Sequence, residues 1–190
     1  MTGHERAEAL AAALPGASLT TSFGEATVDV PADAWRDALR LARDDHRLGY
    51  LDWLSAYEDT DAVLVVVCHL VALEPVEHLL VRTRVDAVPP SLPSAVAVFR
   101  GADWHEREAA EMFGLTFTGH PAPGPLLLPA GFEGHPLRKG FVLAARAARP
   151  WPGAKEPGES GPAVRRRRTL PPGVPAAGRW RPADQDGEQP

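Results

Sequence analysis

The spacing of apolar residues in the first fifty positions predicts two amphipathic helices. Residues His4 to Leu14 are rich in alanine and are followed by Pro15-Gly16, which is typical of a short helix with a defined end. A second helix is expected to open at Pro31, where the missing N–H of proline costs nothing. Four apolar residues recur there at helical spacing and form one stripe: Trp35, Ala38, Leu39 and Ala42.

Strand patterns lie between and after these helices. Leu19 to Phe23 and Thr27 to Val30 are short candidates that flank a turn at Gly24-Glu25. Tyr50 to Tyr57 is apolar and aromatic, which fits a strand or a short helix. Ala62 to Leu73 is rich in β-branched residues and predicts a central strand.

The segment from Val76 to Val85 alternates, after a turn at Glu74-Pro75. One face would carry Leu79, Val81, Thr83 and Val85, and the other His78, Leu80, Arg82 and Arg84. This period of two is typical of a half-buried antiparallel strand. Because strands cluster first and a helix follows, we expect an α+β fold. It would be a two-layer domain with a mainly antiparallel sheet packed by helices.

Residues 101–141 combine a third predicted helix with an irregular segment. Asp103 and Glu106 fit an N-cap and its capping-box partner, and Gly114 fits the end of a helix over Trp104 to Phe113. Turn-forming Gly and Pro then mix with aromatic and charged residues. Such backbone is stable only where side chains or a partner satisfy its polar groups.

The composition and charge of the chain argue against several classes of function. The 190 residues carry 20 Lys and Arg against 25 Asp and Glu, a formal charge of −5, which argues against a dedicated nucleic-acid binder. The single cysteine, Cys68, cannot ligate an iron–sulfur cluster or form an all-cysteine zinc site. The longest apolar run, Ala62 to Leu73, falls short of the roughly twenty residues that span a membrane. Membrane contact would therefore come through a partner.

A change in composition near Arg149 predicts a domain over 1–149 and a tail over 150–190. The tail holds nine Pro and six Gly in 41 positions, so we expect it to be extended or disordered. Its run of Arg165 to Arg168 could contact nucleic acid or anionic lipid, but a solvated linker or a strip docking on an acidic partner is favoured. Trp151 and Trp180 are candidates for insertion into a partner's pockets.

An ordered set of motifs resembles a known family. Glu106-Arg107-Glu108-Ala-Ala-Glu111-Met-Phe-Gly is followed by Gly119-His120-Pro121, by Leu127-Leu128-Pro129 and by Glu133-Gly134-His135-Pro136-Leu137-Arg138-Lys139. In order and spacing the set resembles the C subunit of bacterial NADH–quinone oxidoreductase, respiratory complex I. The resemblance is strongest over residues 94–141. The chain departs from the family's pattern at Ala122 to Pro125, which is uncharged, so a diverged paralogue is also possible.

The resemblance implies a non-catalytic scaffold subunit of the peripheral arm of a proton-translocating complex, on the cytoplasmic side of the cell membrane. It would dock on quinone-site and iron–sulfur subunits while electrons pass from NADH to quinone. It would bind no cofactor or metal itself, since FMN and the clusters belong to partners, and it would contact no nucleic acid. The implied interface residues are Glu106, Arg107, Glu108, Glu111, His120, Pro121, Glu133, Gly134, His135, Pro136, Arg138 and Lys139.

Other interpretations remain open at this point. The same scaffold role could serve a related membrane hydrogenase or another quinone-linked dehydrogenase. A stand-alone zinc hydrolase could use His105-Glu106, but position 109 is Ala rather than the second His of that motif, so His120 and His135 would have to join. We favour the interpretation that both histidines bind loop backbone.

The remaining reactive and aromatic side chains favour structural roles. The glutamates of the predicted helix fit a surface or interface ion network, with Arg107 able to pair with Glu111, rather than a catalytic acid–base pair. Cys68 fits a small buried residue, and His69 and His78 fit a solvent face or a cross-strand pair. Three tryptophans are expected to anchor the core: Trp35, Trp53 and Trp104.

Overall fold

The computed structural model describes residues 1–60 and 62–141. Its helices are α1 (Gly3–Ala13), α2 (Trp35–Asp44), preceded by a 3-10 turn at Ala32–Ala34, and α3 (Ala102–Phe113). Its strands are β1 (Ser18–Ser22), β2 (Glu25–Val30), β3 (Tyr50–Thr60), β4 (Val63–Leu73), β5 (Val76–Asp86), β6 (Ser91–Pro93) and β7 (Thr116–Thr118). The predicted tail and its Trp151, Trp180 and Arg165 to Arg168 lie outside the described residues.

Five strands form one sheet in the order β1-β2-β5-β4-β3. All neighbours are antiparallel except β2 and β5, which run parallel. The long hairpin of β4 and β5 pairs without interruption from Val63 opposite Asp86 to Leu73 opposite Val76. A second, two-stranded parallel sheet joins β6 to β7. The predicted α+β class with a mainly antiparallel sheet is confirmed.

The helices cover one face of the five-stranded sheet. The inward residues of β4 and β5 join Trp35 and Leu39 of α2 and Leu10 of α1 in one apolar cluster. That cluster extends to Ala109 and Phe113 of α3. The predicted stripe of α2 is confirmed, since all four of its members are buried. The opposite face of the sheet carries Val65, Val67 and Val71 of β4 beside polar and aromatic side chains, and none of these valines belongs to the cluster that the helices share.

The first helix is fixed by local chemistry at its start. The Thr2 side chain accepts a hydrogen bond from the Glu5 amide, and the Glu5 carboxylate accepts one from the Thr2 amide. This capping box satisfies two of the amide donors that a helix start leaves without partners. None of the helices in the described part of the chain is long and apolar enough to cross a membrane.

The structure differs from the predictions at one helix start, at two tryptophans and at one turn. Helix α3 begins at Ala102 after Gly101, without a side-chain cap, so Asp103 is not its N-cap. Trp53 and Trp104 are 37% and 68% exposed, so only Trp35 of the three tryptophans anchors the core. The turn of the first hairpin lies at Phe23-Gly24, one residue before the predicted position, because Ser22 pairs with Glu25.

Candidate functional site

The residues that follow β7 form a long irregular segment, residues 119–141, which we call the strap. It contains no helix or strand, yet nearly every polar motif residue of the sequence lies on it or on the neighbouring α3. Three groups of contacts hold it: at the end of α3, along the flank of α3, and at β3.

The strap supplies the donors that the last turn of α3 requires. The carbonyl groups of Glu111, Met112 and Phe113 lie at the helix end, where no further helical amide can reach them. His135 Nδ1 lies 2.8 Å from the Glu111 carbonyl, the Leu137 amide donates to Met112 at 3.1 Å, and Arg138 Nε donates to Phe113 at 2.7 Å. The motif Gly-His-Pro-Leu-Arg therefore works as a remote C-cap.

Arg107 and Glu111 hold the strap along the flank of α3. Arg107 donates to the carbonyl oxygens of Gly124 and Pro125 at 3.0 and 2.5 Å. The Glu111 carboxylate accepts from the amides of residues 126, 127 and 128 at 2.7, 2.8 and 3.4 Å. Both side chains thus bind strap backbone, which is a different role from the predicted pairing of Arg107 with Glu111.

The three amides also favour the ionised form of Glu111. Its partial burial alone would raise the pKa of this carboxyl group. The amide donors of residues 126–128, together with the nearby Arg107, outweigh that effect and lower the pKa. Glu111 is therefore ionised whenever the strap is in place at neutral pH.

Glu106 lies inside the protein, which corrects its predicted place in a surface ion network. Its side chain is 0% exposed and accepts from Ser94 Oγ at 2.6 Å and from the Ala95 amide at 2.5 Å. Burial raises the pKa of Glu106, opposed by these two donors and by His120. Its neighbour Glu108 is exposed to solvent. Glu106 ties α3 to the segment after β6 and cannot itself contact a partner.

The two histidines of the repeated Gly-His-Pro bind backbone, so the favoured interpretation is confirmed. His120 accepts from the Ala122 amide at 3.1 Å and lies 3.3 Å from the Asp103 carbonyl oxygen. The ring of His135 packs on Gly114, the left-handed residue at φ 72° that ends α3. A Cβ on Gly114 would lie 2.6 Å from that ring, so the close approach requires glycine.

Arg138 and Lys139 fasten the strap to β3. Arg138 pairs with Glu58 at 3.2 Å and donates to the Ala87 carbonyl at 2.9 Å. The Lys139 amide donates to Glu58 at 2.5 Å, and Lys139 Nζ to the Asp59 carbonyl at 2.8 Å. The Lys139 amide and the Arg138 guanidinium lower the pKa of Glu58. Glu58 is not recognisable from the sequence, because nothing local distinguishes it from other strand glutamates.

The other motif residues lie on the outer surface of the strap. Pro121, Glu133 and Gly134 are exposed, and Pro136 is half-buried. Gly134 takes a positive φ of 91°, and a Cβ there would lie 3.0 Å from the Phe141 ring. Phe141 in turn stacks on Phe132, with ring centroids 6.0 Å apart.

A cleft of about 370 Å³ lies between α3, β7 and the start of the strap. Its walls are mostly apolar, from Ala110, Leu115 and Phe117, and the uncharged run at 122–125 contributes Pro123 to Pro125. Arg107 binds this wall through the backbone carbonyl groups of residues 124 and 125. The contact therefore does not depend on a charged side chain in residues 122–125.

The structure also shows the surroundings of the residues considered for metal binding or catalysis. Across residues 1–60 and 62–141, no three His, Cys, Asp or Glu side chains converge as a metal site would require. Cys68 is buried, and burial raises the pKa of its thiol. His69 and His78 lie on neighbouring strands as diagonal neighbours, because His69 pairs with Leu80 and His78 with Val71. Their ring nitrogens are 3.3 Å apart, as the predicted cross-strand contact requires, and His69 Nδ1 lies 2.9 Å from Asp52.

Fold and site together define the class of protein: an α+β domain whose polar motif residues brace an irregular strap against a helix. Residues 28–147 match the family described as respiratory-chain NADH dehydrogenase, 30 Kd subunit. The chain belongs to this family, which is the one that the sequence motifs indicate.

Curated relatives agree over most of the chain. The NADH-quinone oxidoreductase C subunit from Rhodopseudomonas palustris (strain TIE-1) is 36% identical over 142 residues, 72% of this chain and 69% of the relative. The C subunit from Roseiflexus sp. (strain RS-1) is 38% identical over 144 residues, 73% and 83% respectively. The Brucella abortus (strain 2308) protein is 39% identical over 148 residues, 75% and 71%.

Two solved structures share the fold. A trypsin-resistant fragment of Nqo5 superposes with a TM-score of 0.56 at 22% identity, covering 64% of this chain and 99% of the fragment. A chain of the membrane-bound sulfane sulfur reductase, an archaeal respiratory membrane complex, gives a TM-score of 0.59 at 22% identity, covering 75% and 87%.

Proposed function

We propose that this chain is a non-catalytic scaffold subunit in the peripheral arm of a proton-translocating NADH–quinone oxidoreductase. It docks on the quinone-site and iron–sulfur subunits, on the cytoplasmic side of the cell membrane, while electrons pass from NADH to quinone. It holds no cofactor itself, and FMN and the clusters belong to its partners. Its task is to fix the relative positions of redox-bearing neighbours. Membership of the family and the names of the relatives support this proposal.

The observation that carries the docking role is the contrast between the two sides of the strap. On the inner side the polar motif residues are engaged within the chain. On the outer side Leu127 and Leu137 are 59% and 56% exposed. Burying one leucine side chain contributes about 1.5–3 kcal/mol, so two of them can add substantially to the contact with a partner. The motif residues therefore shape the docking surface, and the leucines contact the partner.

A pull-down from solubilised membranes tests this proposal. A tagged full-length chain should retain the other peripheral-arm subunits, identified by mass spectrometry. The double variant Leu127→Asp, Leu137→Asp should lose them, because two carboxylates would have to be buried on docking. The matched control is Leu73→Asp, Val76→Asp, at two exposed residues that flank the β4–β5 turn. Purification of the wild-type chain without any respiratory subunit would contradict the proposal.

A second candidate is the same scaffold role in a related membrane hydrogenase or another quinone-linked dehydrogenase. The uncharged run at 122–125 supports keeping it as a candidate, because the chain departs from the family's pattern there. Other chains select the electron donor. The same pull-down therefore separates the candidates: nucleotide-binding partners support the first, and hydrogenase or other donor subunits support the second.

A further inference from the structure

The two histidines of the repeated Gly-His-Pro are held in opposite tautomers. The Ala122 N–H donates to His120 Nδ1 at 3.1 Å, so Nδ1 is an acceptor and the proton of the neutral ring lies on Nε2. His135 Nδ1 lies 2.8 Å from the Glu111 carbonyl oxygen, which can only accept, so His135 carries its proton on Nδ1. Uptake of a second proton therefore reaches a different atom in each ring.

The charges around His120 lie on the side of its Nε2. Asp103 Oδ1 is 3.3 Å from that nitrogen and Glu106 Oε2 is 3.9 Å away, both on α3. Arg107 and Glu111 line the same cleft, but both bind strap backbone. Beyond Glu106 lies the Cys68 thiol of β4. On the Nδ1 side, residues 121–125 bring no titratable side chain, only the Ala122 amide.

We propose that His120 is a proton-operated latch: its ring, which lies on α3, holds the next residues of the strap by accepting from the Ala122 amide in the neutral form, and releases them when protonated. An imidazolium ring donates from both nitrogens. Its Nδ1–H would then face the Ala122 N–H, donor against donor, and that hydrogen bond must break. The ring itself stays on α3, because its Nε2–H points at two carboxyl groups. Residues 121–123 lose this anchor, while Arg107 continues to hold Gly124 and Pro125.

His135 responds in the opposite sense and keeps the far end of the strap in place. A second proton there reaches Nε2, while Nδ1–H continues to donate to the Glu111 carbonyl. That carbonyl belongs to the last turn of α3, where the helix dipole favours a positive charge. Acid therefore loosens residues 121–123 and leaves the Leu137 amide on Met112.

Nitrogen-15 NMR of the full-length chain tests the latch directly. Long-range proton–nitrogen spectra at about pH 8 should show the Nε2–H tautomer for His120 and the Nδ1–H tautomer for His135. Between about pH 8 and pH 5.5, the amide exchange protection of Ala122 should fall about tenfold, the order expected for one lost hydrogen bond. The protection of Leu137 should change less than about twofold.

Two variants complete the test. In His120→Gln, which cannot take up a proton, Ala122 protection should be independent of pH. In His135→Gln, the pH response of Ala122 should persist. An Nδ1–H tautomer at His120, equal Ala122 protection at both pH values, or a pH response that survives His120→Gln would each overturn the latch. If His120→Gln does not fold, the wild-type tautomer and protection data still decide.

Discussion

Glu106 is fully buried, and the groups around it determine how strongly its ionised form is disfavoured. Burial raises its pKa, although Ser94, Ala95 and His120 oppose the shift. The folded state therefore binds this proton more tightly than the unfolded state does. The contribution of Glu106 to the free energy of unfolding is largest when the group is protonated. It is lost as pH rises from the unfolded value, about 4.5, through the higher folded pKa.

Substituting Glu106 with glutamine should remove this pH dependence. Glu106→Gln keeps the shape and carries no charge; its one carbonyl oxygen can accept from the Ala95 amide, while its NH2 group donates to Ser94 Oγ, which can accept instead of donating. The free energy of unfolding, measured by urea at about pH 5, 7 and 8, should decline less with pH than in the wild type. Glu106→Ala, which leaves the Ser94 and Ala95 donors buried without a partner, should cost about 2–4 kcal/mol. An unchanged pH slope in the glutamine variant would refute the assignment.

The backbone conformation and surroundings of Gly114 predict that glycine is required at this position. Its φ of 72° and the His135 ring, which would lie 2.6 Å from any Cβ at this position, make two separate demands for glycine. Gly114→Ala should lower the free energy of unfolding by at least about 1 kcal/mol, because strain and a clash act together. The control is Gly101→Ala at the other end of α3, where φ is −63° and a Cβ would meet nothing within 4 Å. Equal stability of the two variants in thermal unfolding would be evidence against the packing.

At the scale of elements, helix α3 shows what periodicity can and cannot predict. Its end at Gly114 was predictable, because a left-handed residue is needed there. Its start was not predictable, because the spacing Asp-x-x-Glu occurs in helix interiors as well as in capping boxes. With the helix beginning at Ala102, its buried residues Ala102, Glu106, Ala109 and Phe113 share one face. Trp104 lies off this face and is therefore exposed.

The strap shows a different limit, because its partners are distant in sequence. The pattern of Gly, Pro and charge in residues 119–141 predicts irregular backbone that needs polar partners. It does not identify Glu58, 80 residues away from Arg138 along the chain. Trp53 illustrates the same limit in a strand. It pairs with His69 on the face of the sheet opposite the helices, next to a register shift at Leu51/Trp53. Local alternation cannot foresee such a shift.

The hydrogen bonds of Glu111 predict that this side chain of α3 holds the strap in place. Glu111→Gln removes the charge and one of the two acceptor oxygens that bind the amides of residues 126–128. Those amides should lose protection in hydrogen exchange at pH 7, while the amides of β4 stay unchanged. Because the pKa of Glu111 is lowered, its stabilising effect exists above about pH 4.5 and is lost as pH falls through the folded value.

Glu108→Gln is the matched control for that experiment. Glu108 lies on the same helix and is exposed to solvent. Its substitution removes the same charge without touching the strap. Equal loss of protection in both variants would mean that net charge, rather than the three hydrogen bonds, holds the strap.

At the scale of the described molecule, the strap joins parts of the fold that the chain leaves far apart. Through Arg138 it links the end of α3 at Phe113 to Glu58 on β3 and to Ala87 after β5. A strap held this way is preorganised for the proposed docking, because several of its backbone amides already bond within the chain. Preorganisation of this kind lowers the entropy that ordering would otherwise cost on association.

It follows that the strap should be folded in the full-length chain before any partner is present. In hydrogen exchange on the isolated chain, the amides of Leu126, Leu137 and Lys139 should be protected to a degree similar to β-strand amides of β4. Arg138→Met should abolish protection at Leu137 and Lys139 but spare Leu126, which Glu111 holds independently. If these amides exchange freely in the isolated chain and become protected only in the purified complex, the strap forms on docking, and partner contacts rather than internal bonds determine its shape.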